Sequence, residues 1–387
     1  MAISAHQRTG KIRLGMVGGG EGAFIGAVHR LAARMDDHYE LVAGALSSTP
    51  DKAQRSGAAL GLAADRIYTD FATMAQAESD RADGIEAVAI VTPNHMHAGP
   101  AYAFLQAGIH VICDKPLTVS LAEALSLKAA ADQSGLIFAL THNYTGYPLV
   151  RCARQMVRRG DLGEIRLVQV EYPQDWLTGP SEASGHKQAE WRVDPKRSGA
   201  GGAIGDIGTH AYNLADYVSG LDLDELCAEL TSFGAGRVLD DNVQIMLRYR
   251  GGARGALWAS QVAPGNENGL RLRIYGTKGG LHWVQANPNE LFWSPLGEST
   301  RIITRGGPEA GAAAARMTRI PPGHPEGYLE GFANIYSEIA LAIKAARAGQ
   351  MPAAEVHFPT INDGVKGLAF IEAAVQSSSS NGAWTRL

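Results

Sequence analysis

Short apolar runs alternate with helical segments along about the first 140 residues of the chain. A buried strand of a parallel sheet is predicted at residues 12–17, and helical spacing begins at Phe24. The same pattern predicts further strands at residues 40–46, 85–91, 109–113 and 136–140, and helices at residues 50–62, 70–77, 97–107 and 120–133. Strict alternation of strand and helix predicts an α/β fold with a doubly wound parallel sheet of the Rossmann type.

Alternating polar and apolar positions mark the second part of the chain. They predict strands at residues 163–172, 226–233, 242–249, 253–261, 270–275 and 280–284, followed by helices at residues 328–347 and 364–375. Such a run of strands predicts an α+β region with a large, mostly antiparallel open sheet. We therefore expect two domains, at residues 1–142 and 143–387.

A glycine-rich turn follows the first predicted strand. Gly18, Gly20 and Ala23 fit the pattern G-x-G-x-x-[G/A], with a strand before the turn and a helix after it. Glycines let the backbone lie close to a pyrophosphate, and the helix N-terminus offers free N–H groups to the phosphates. The turn therefore predicts dinucleotide binding by the first domain, and the alternative is a plain strand-to-helix turn.

The end of the second strand bears on the choice between NAD and NADP. An NAD site usually places an acidic residue there to bind the ribose hydroxyls, but the chain reads Ser47-Ser48-Thr49. These hydroxyls, with Lys52 and Arg55, can hold a 2′-phosphate, which makes NADP preference one hypothesis. An ordinary helix cap followed by exposed charges explains the same residues equally well.

Polar residues also follow three further strands, at residues 92–97, 114–117 and 141–144. Because ligands of such sheets bind at the carboxyl ends of the strands, these residues are expected at one site. Lys115 stands out, since its ammonium group can hydrogen-bond an alcohol oxygen and stabilise it as a proton leaves. Pro116 restricts Lys115 to extended backbone and allows a cis peptide bond. Alternatively, Lys115 is paired with Asp114 at the rim of the sheet.

Two residues of the second domain are candidates for proton transfer. Asp206 and His210 are four residues apart, which places both on one face of a helix, and glycines before them let the backbone approach a ligand. Histidine suits base catalysis near neutral pH, and a nearby carboxylate stabilises its cation. An ordinary helix pair and half of a metal site are the alternatives.

A long segment at residues 173–205 precedes this helix and is expected to contribute binding groups. Tryptophans can stack on the C–H groups of sugars, and charged side chains can bind hydroxyls or an anion. For each candidate side chain, the alternative is a structural role, either packing at a domain edge or a charge exposed to solvent. The candidates are Trp176, Lys187, Trp191, Arg192, Asp194, Lys196 and Arg197.

Composition narrows the class of protein. A net charge of −4 gives no indication of a nucleic-acid or membrane surface. Cys113, Cys152 and Cys227 are scattered without metal spacing, which is typical of a reducing compartment such as the cytoplasm. Residues 1–10 lack the apolar core of a signal peptide, and no run reaches the length of a membrane span. His95 and His97 have no acidic or thiolate partner nearby in the sequence, so no metal site is predicted.

Four motifs together resemble those of the glucose–fructose oxidoreductase, inositol dehydrogenase and MocA (Gfo/Idh/MocA) family of NAD(P)-dependent oxidoreductases. They are Gly18-x-Gly20-x-x-Ala23, Thr92-Pro-Asn94-x-x-His97, Asp114-Lys115-Pro116 and the run from Gly201 to His210. Asp114 replaces the glutamate of the family's Glu-Lys-Pro signature. The resemblance covers nearly the whole chain and implies NAD or NADP as cofactor. It also implies an outer sheet face used for association, hence a homodimer or homotetramer.

The resemblance also implies the roles of individual residues. Catalysis is expected from Lys115, Asp206 and His210. Cofactor binding is expected from Gly18, Gly20, Ala23, Phe24, Ser47, Thr92, Asn94, His97, Asp114, Lys115 and Asn143. Substrate binding is expected from Lys115, Tyr144, Trp176, Arg192, Asp206 and His210.

The function expected from these residues is hydride transfer between a sugar or polyol hydroxyl and the nicotinamide. His210 takes the hydroxyl proton, Lys115 stabilises the alkoxide, and Asp206 orients the substrate or His210. One alternative is a glycosidase that uses NAD as a recycled catalyst, with Tyr144, Tyr147 or His186 as the further base and an anionic sugar held by the basic segment. A second alternative is a non-catalytic regulator that binds a dinucleotide.

Overall fold

A computed structural model of the chain describes residues 10–179 and 194–387, which form two compact units. The first unit contains the described residues up to Thr118, together with Ala122–Asn143 and Tyr328–Val365. The second contains Val119–Leu121, the described residues between Tyr144 and Gly327, and Lys366–Leu387. The first unit thus includes a helical segment that comes nearly two hundred residues after its last strand, because that segment packs on its core.

The first unit is built on a parallel sheet. Its strands are β1 (Ile12–Gly18), β2 (Tyr39–Ala45), β3 (Ala87–Val91), β4 (His110–Cys113) and β5 (Phe138–Leu140). The helices between them are α1 (Phe24–Met35), α2 (Pro50–Ala59), α3 (Phe71–Ser79), α4 (Ala98–Gln106) and α5 (Leu121–Ser134). All neighbouring strands are parallel, in the order β2-β1-β3-β4-β5, which confirms the predicted Rossmann-type sheet.

The strand order reverses beside β1, and this point defines where a ligand can bind. The chain passes from β1 to β2 on one side and then crosses to β3 on the other. In open α/β sheets ligands bind outside the carboxyl ends of the strands at such a reversal. Gly18 at the end of β1 lies opposite Val91 at the end of β3, so the glycine turn and Thr92 occupy this position.

The second unit contains a nine-stranded sheet. Its strands are β6 (Ile165–Pro173), β7 (Leu223–Thr231), β8 (Asn242–Tyr249), β9 (Arg254–Ser260), β10 (Arg271–Gly276), β11 (Gly279–Val284), β12 (Glu290–Pro295), β13 (Arg301–Thr304) and β14 (Thr385–Arg386). The order is β13-β12-β11-β10-β6-β9-β8-β7-β14, and only the β6–β9 pair of these described strands is parallel. The predicted large, mostly antiparallel sheet is confirmed. The sequence did not predict β12, β13 and β14, which are short and lie at or beside the sheet edges.

Four longer helices complete the described chain. They are α6 (Pro148–Arg159), α7 (Thr209–Ser219), α8 (Tyr328–Arg347) and α9 (Ile361–Ser379), with short helices at Pro195–Ser198 and Gly311–Ala315. Helix α7 packs against β6, and the sheet leaves Leu167, Met246 and Tyr275 exposed. The homodimer or homotetramer through this sheet stays a prediction. No helix of the described residues is long and apolar enough to cross a bilayer.

The contact between α1 and α8 places a histidine in the core of the first unit. His29 is fully buried, and its Nδ1 lies 2.8 Å from the hydroxyl of Tyr336 on α8. The ring of Phe332 lies 5.2 Å from the His29 ring, and the hydroxyl of Tyr39 donates to the carbonyl of Tyr336. Burial lowers the pKa of His29 to about 4, against a smaller opposing effect of Asp114. His29 is therefore neutral in the folded chain at neutral pH.

Acidification is expected to destabilise the fold through His29. Below pH 6.5 the unfolded chain binds a proton at this residue and the folded chain does not, so the free energy of unfolding falls by about 1.4 kcal/mol per pH unit until pH 4 is approached. The substitution His29→Gln should remove this contribution. Urea unfolding at pH 7, 6 and 5 measures the slope, with His324→Gln as an exposed control. Equal slopes for His29→Gln and the unmodified chain would contradict the expectation.

Candidate active site

The turn between β1 and α1 is too tightly packed for side chains at its first three positions. Gly18 and Gly19 have φ angles of +80° and +70°, which favour glycine. A Cβ atom on Gly18 would lie 2.9 Å from the carbonyl oxygen of Val91, and one on Gly20 would lie 2.6 Å from that of Leu46. The turn therefore rests directly on the backbone at the ends of β3 and β2.

Helix α1 is held against this turn by two residues that the sequence analysis did not single out. A Cβ atom on Gly26 would lie 2.4 Å from Cα of Gly19, so only glycine fits at this point of the helix. Arg30 donates from Nη1 to the carbonyl oxygen of Gly19 over 2.7 Å. The motif assigns this close packing to Ala23, but Ala23 precedes the helix in extended conformation, and the close contact falls at Gly26. In the sequence, the glycine at position 26, in the first turn of the helix, is the feature that could have indicated this close contact.

The N-terminus of α1 is free to bind an anion. The cap residue Ala23 makes no side-chain hydrogen bond, and the first turn contains no acidic residue. The cap residue therefore supplies no side-chain acceptor to the first N–H groups of this twelve-residue helix, and the helix dipole favours a negative charge there. Phe24, the first helical residue, is 66 % exposed.

At the end of β4 the backbone around Lys115 is held on both sides. The Asp114 carboxylate accepts hydrogen bonds from the N–H of Lys115 over 2.8 Å and from the hydroxyl of Thr141 over 3.0 Å. The Lys115–Pro116 peptide bond is cis. His97 is buried, with Nδ1 2.7 Å from the Pro116 carbonyl oxygen. Lys115 itself is half-buried.

His97 connects the ends of β3 and β4. Its Nε2 lies 2.9 Å from the carbonyl oxygen of Thr92, while its Nδ1 faces Pro116. Burial lowers the pKa of His97, and Asp114 and the two carbonyl groups oppose this shift. Both ring nitrogens thus face backbone carbonyls, which explains how His97 holds the Thr92 turn beside Lys115. Asn94 lies in the same turn and is buried.

His142 and Asn143 are among the buried polar residues that follow β5. Burial lowers the pKa of His142 to about 4, with Asp363 as the largest opposing influence. Asn143 is 1 % exposed, and its Nδ2 has no hydrogen-bond partner among the described residues. A buried amide donor at the carboxyl edge of the sheet fits a carbonyl oxygen of a bound ligand. With the glycine turn and the open end of α1, it gives the first unit the groups that a dinucleotide requires.

Near the end of β2, the hydroxyl of Ser47 accepts a hydrogen bond from the N–H of Thr49 over 3.1 Å. Arg55 of α2 is paired with Glu21 of the glycine turn, with Nη2 and Oε2 3.3 Å apart. The sequence pattern indicates Arg55 as a partner of a 2′-phosphate but does not indicate its pairing with Glu21. The positive charge of Arg55 near the end of β2 is therefore offset by the negative charge of Glu21.

In the second unit, Asp206 lies in a π-helical turn, Ile204–Gly208, that leads into α7 with His210. The N–H of Thr209 bonds back to the carbonyl of Ile204, so the turn contains one residue more than an α-helical turn. Such turns are frequent at functional sites. The Asp206 carboxylate accepts a hydrogen bond from Nε2 of Gln261 over 2.9 Å. Gln261 is buried, and no local pattern in the sequence indicates it.

Two tyrosine rings surround the imidazole of His210, which is 8 % exposed. The ring of Tyr144 lies 5.0 Å from the His210 ring at 78°, and the ring of Tyr172 lies 6.3 Å away. The two tyrosine hydroxyls are hydrogen-bonded to each other. Burial raises the pKa of Tyr144, against smaller effects of its hydrogen bonds. Tyr144 is therefore a neutral phenol beside His210 at neutral pH.

A hydrogen-bonded cluster of amides extends from these tyrosines. The carbonyl oxygen of Asn268 accepts from the Tyr172 hydroxyl and from the Gln174 amide, each over 2.8 Å. The Asn268 amide donates to Gln285 over 2.8 Å, and the indole of Trp176 donates to Gln174 over 3.0 Å. These groups come from β6 and the residues after it, from the segment before β10 and from the residue after β11, which explains why sequence patterns missed most of them. Arg192, with the predicted Lys187, Trp191 and His186, lies outside the described residues.

One residue, Asp240, holds the glycine-rich segment that precedes Asp206. Its two carboxylate oxygens accept from the N–H groups of Gly202 over 2.6 Å and of Ile204 over 2.8 Å, and its carbonyl accepts from Ala203 over 2.8 Å. Burial raises the pKa of Asp240 to about 6 despite these bonds. The next residue, Asp241, accepts at its carbonyl from the N–H of Gln261 over 2.8 Å. The pair thus fixes the backbone behind Asp206 and behind its partner Gln261.

Comparison with known proteins agrees with the two units and the dinucleotide-binding turn described above. Residues 12–142 match the family model described as oxidoreductase family, NAD-binding Rossmann fold, and residues 150–282 match the GFO/IDH/MocA C-terminal domain. The chain is 34% identical over 377 residues to the uncharacterized oxidoreductase YfiI of Bacillus subtilis, with 96% of each chain covered. The first unit is therefore an NAD-binding domain of an oxidoreductase.

Solved structures give the same result. An oxidoreductase from Sinorhizobium meliloti is 60% identical, with a TM-score of 0.88 over 97% of this chain and 99% of that one. An inositol dehydrogenase homolog from Azotobacter vinelandii, complexed with NAD+, is 35% identical, with a TM-score of 0.94 over 97% of both chains. The same homolog complexed with NADH and myo-inositol has a TM-score of 0.91 at 35% identity, over 97% of this chain and 98% of that one. The chain belongs to the Gfo/Idh/MocA family of oxidoreductases.

Removing the Asp240 carboxylate is expected to destabilise the second unit. Asp240→Ala leaves two buried N–H groups without their acceptor, which should lower the free energy of unfolding by about 3 kcal/mol. Asp240→Asn keeps one acceptor and should lose roughly half as much. Chemical unfolding at pH 7 measures both. Asp224→Ala, which removes an exposed carboxylate of the same unit, should be nearly neutral. A loss equal to that control would contradict the expected role.

Proposed function

We propose that the chain is a dehydrogenase that transfers a hydride between a sugar or polyol hydroxyl and NAD. The observation that carries this proposal is the half-buried Lys115 at the carboxyl edge of the sheet, with its backbone held by Asp114 and by His97. An ammonium group at the edge where a dinucleotide binds is suited to an alcohol oxygen. Membership of the family and the likeness to a homolog solved with NADH and myo-inositol support the substrate class.

In this proposal the first unit holds the dinucleotide. The N–H groups at the start of α1 and the glycine backbone receive the pyrophosphate, and the buried amide of Asn143 donates to the nicotinamide carboxamide. Thr92 and Asn94 border the same edge, and the exposed Phe24 offers an apolar surface. When bound, the nicotinamide accepts the hydride from the carbinol carbon or returns it to the carbonyl.

The proton is handled by this chain's own residues. His210 accepts the hydroxyl proton of the substrate as general base, and Lys115 donates a hydrogen bond to the same oxygen as it gains charge. Asp206, held by Gln261, orients the substrate hydroxyl or His210. The neutral hydroxyl of Tyr144 and the ring of Trp176 contribute to binding the substrate. In the reverse direction His210 returns the proton to the oxygen of the keto form.

A panel of substrates tests the proposal. Purified protein is incubated with NAD or NADP and with myo-inositol, other inositols, free sugars and chromogenic glycosides, while reduced nicotinamide is followed by absorbance. Reduced nicotinamide formed in proportion to substrate supports the dehydrogenase. Release of aglycone without net reduction of the nicotinamide would replace it with the glycosidase alternative. Tight NADH binding without turnover of any compound would replace it with the regulator.

Lys115→Met is expected to reduce kcat on the best substrate of that panel by about 10²-fold or more, since the alkoxide loses its cation. Affinity for NADH, measured by fluorescence, should change by less than about threefold, because Asp114 and His97 still hold the backbone. As a control, Lys128→Met removes a lysine from α5 of the same unit and should leave kcat unchanged. A Lys115→Met enzyme with normal kcat would exclude the proposed role.

A further inference from the structure

The end of β2 lacks the acidic residue that NAD sites usually place there. The strand is followed by Ser47, Ser48 and Thr49. None of them has a carboxylate that could accept hydrogen bonds from the ribose hydroxyls. The hydroxyl of Ser47 is engaged with the N–H of Thr49. A carboxylate that favours a ribose diol over a 2′-phosphate must therefore come from a neighbouring segment.

The glycine turn brings a carboxylate to this position. Gly20 packs so closely on the end of β2 that a Cβ atom would lie 2.6 Å from the carbonyl oxygen of Leu46. The N–H of the next residue, Glu21, donates to the hydroxyl of the buried Ser56 on α2 over 3.0 Å. The backbone of Glu21 is thus fixed beside the end of β2, although its side chain is exposed.

The same carboxylate is paired with Arg55, one of the two cations that the sequence offers to a 2′-phosphate. Oε2 of Glu21 lies 3.3 Å from Nη2 and 3.4 Å from Nε of Arg55. Both side chains are about 60% exposed, at 60% for Glu21 and 63% for Arg55. Exposed pairs of this kind are weak, so either member can turn to a ligand. A neutral ribose diol can donate to Glu21 without breaking the pair, whereas a 2′-phosphate competes with Glu21 for Arg55.

We propose that Glu21 sets a preference for NAD over NADP by occupying Arg55 and by placing its own negative charge beside the 2′ position. The acidic residue that β2 lacks is supplied from the glycine turn. This inference requires only dinucleotide binding, and it stands or falls independently of the proposed reaction and of its substrate. It replaces the NADP hypothesis, which considered Lys52 and Arg55 without the carboxylate of Glu21.

Dissociation constants for NADH and NADPH, which differ only in the 2′-phosphate, test this assignment by fluorescence titration without any substrate. The unmodified protein should bind NADH more tightly. Glu21→Gln should improve the affinity for NADPH by about threefold, as expected for an exposed pair, and change the affinity for NADH by less than about twofold. Arg55→Gln alone should weaken NADPH binding, because the Glu21 charge beside the 2′-phosphate then lacks its cation, and in the Glu21→Gln background it should abolish at least half of the gain.

Asp132→Asn is the matched control, because it removes an exposed, ion-paired carboxylate from α5 of the same unit. It should leave both dissociation constants unchanged. Tighter binding of NADPH than of NADH by the unmodified protein would overturn the proposal. So would a Glu21→Gln protein whose ratio of the two constants equals that of the control, or a gain that fully survives the loss of Arg55.

Discussion

Contact of backbone with backbone at the glycine turn is the constraint on which the first unit depends. The turn rests on the carbonyl groups of Val91 and Leu46, and Gly26 of α1 presses against Gly19. Any side chain at these points would push the helix away from the strands. Because nothing larger than hydrogen intervenes, the N-terminus of α1 opens directly onto the carboxyl edge of the sheet.

The residues around that edge are held mainly through the backbone. Asp114 binds the N–H of Lys115 and the hydroxyl of Thr141, and His97 bridges the carbonyl groups of Thr92 and Pro116. Neighbouring strands are thus tied together at their carboxyl ends by side chains as well as by backbone. The backbone of Lys115 is thus held at the carboxyl edge of the sheet.

In the second unit, a buried carboxylate holds the backbone that precedes a candidate site residue. Asp240 satisfies three successive N–H groups at the start of the helical segment that carries Asp206, which an isolated helix would leave to water. Its raised pKa reflects the cost of burying a charge whose partners are dipoles rather than a cation. Asp241 fixes Gln261, and Gln261 fixes the Asp206 side chain. Two consecutive residues of one loop thereby determine where Asp206 lies.

The amino-acid sequence by itself determined the features that depend on local period and turn chemistry. Alternating apolar runs defined the parallel sheet and most strands of the larger sheet, and the glycine pattern located the dinucleotide turn. Lys115 was recognisable because it follows a buried strand, and the resemblance of the motifs indicated the family. Each of these predicted elements and motifs spans only about twenty residues of chain or fewer.

Tertiary structure alone decided the features that depend on distant partners. Gly202 meets Asp240 38 residues later, Glu21 meets Arg55 34 residues later, and His29 meets Tyr336 307 residues later. The short strands β12 to β14 likewise exist through pairing with neighbours, because their own residues carry little alternation. Hydrophobic period specifies which face of an element is buried, but it does not specify which residue of another element lies against it. Strand register and helix packing make that choice, and both are properties of the assembled fold.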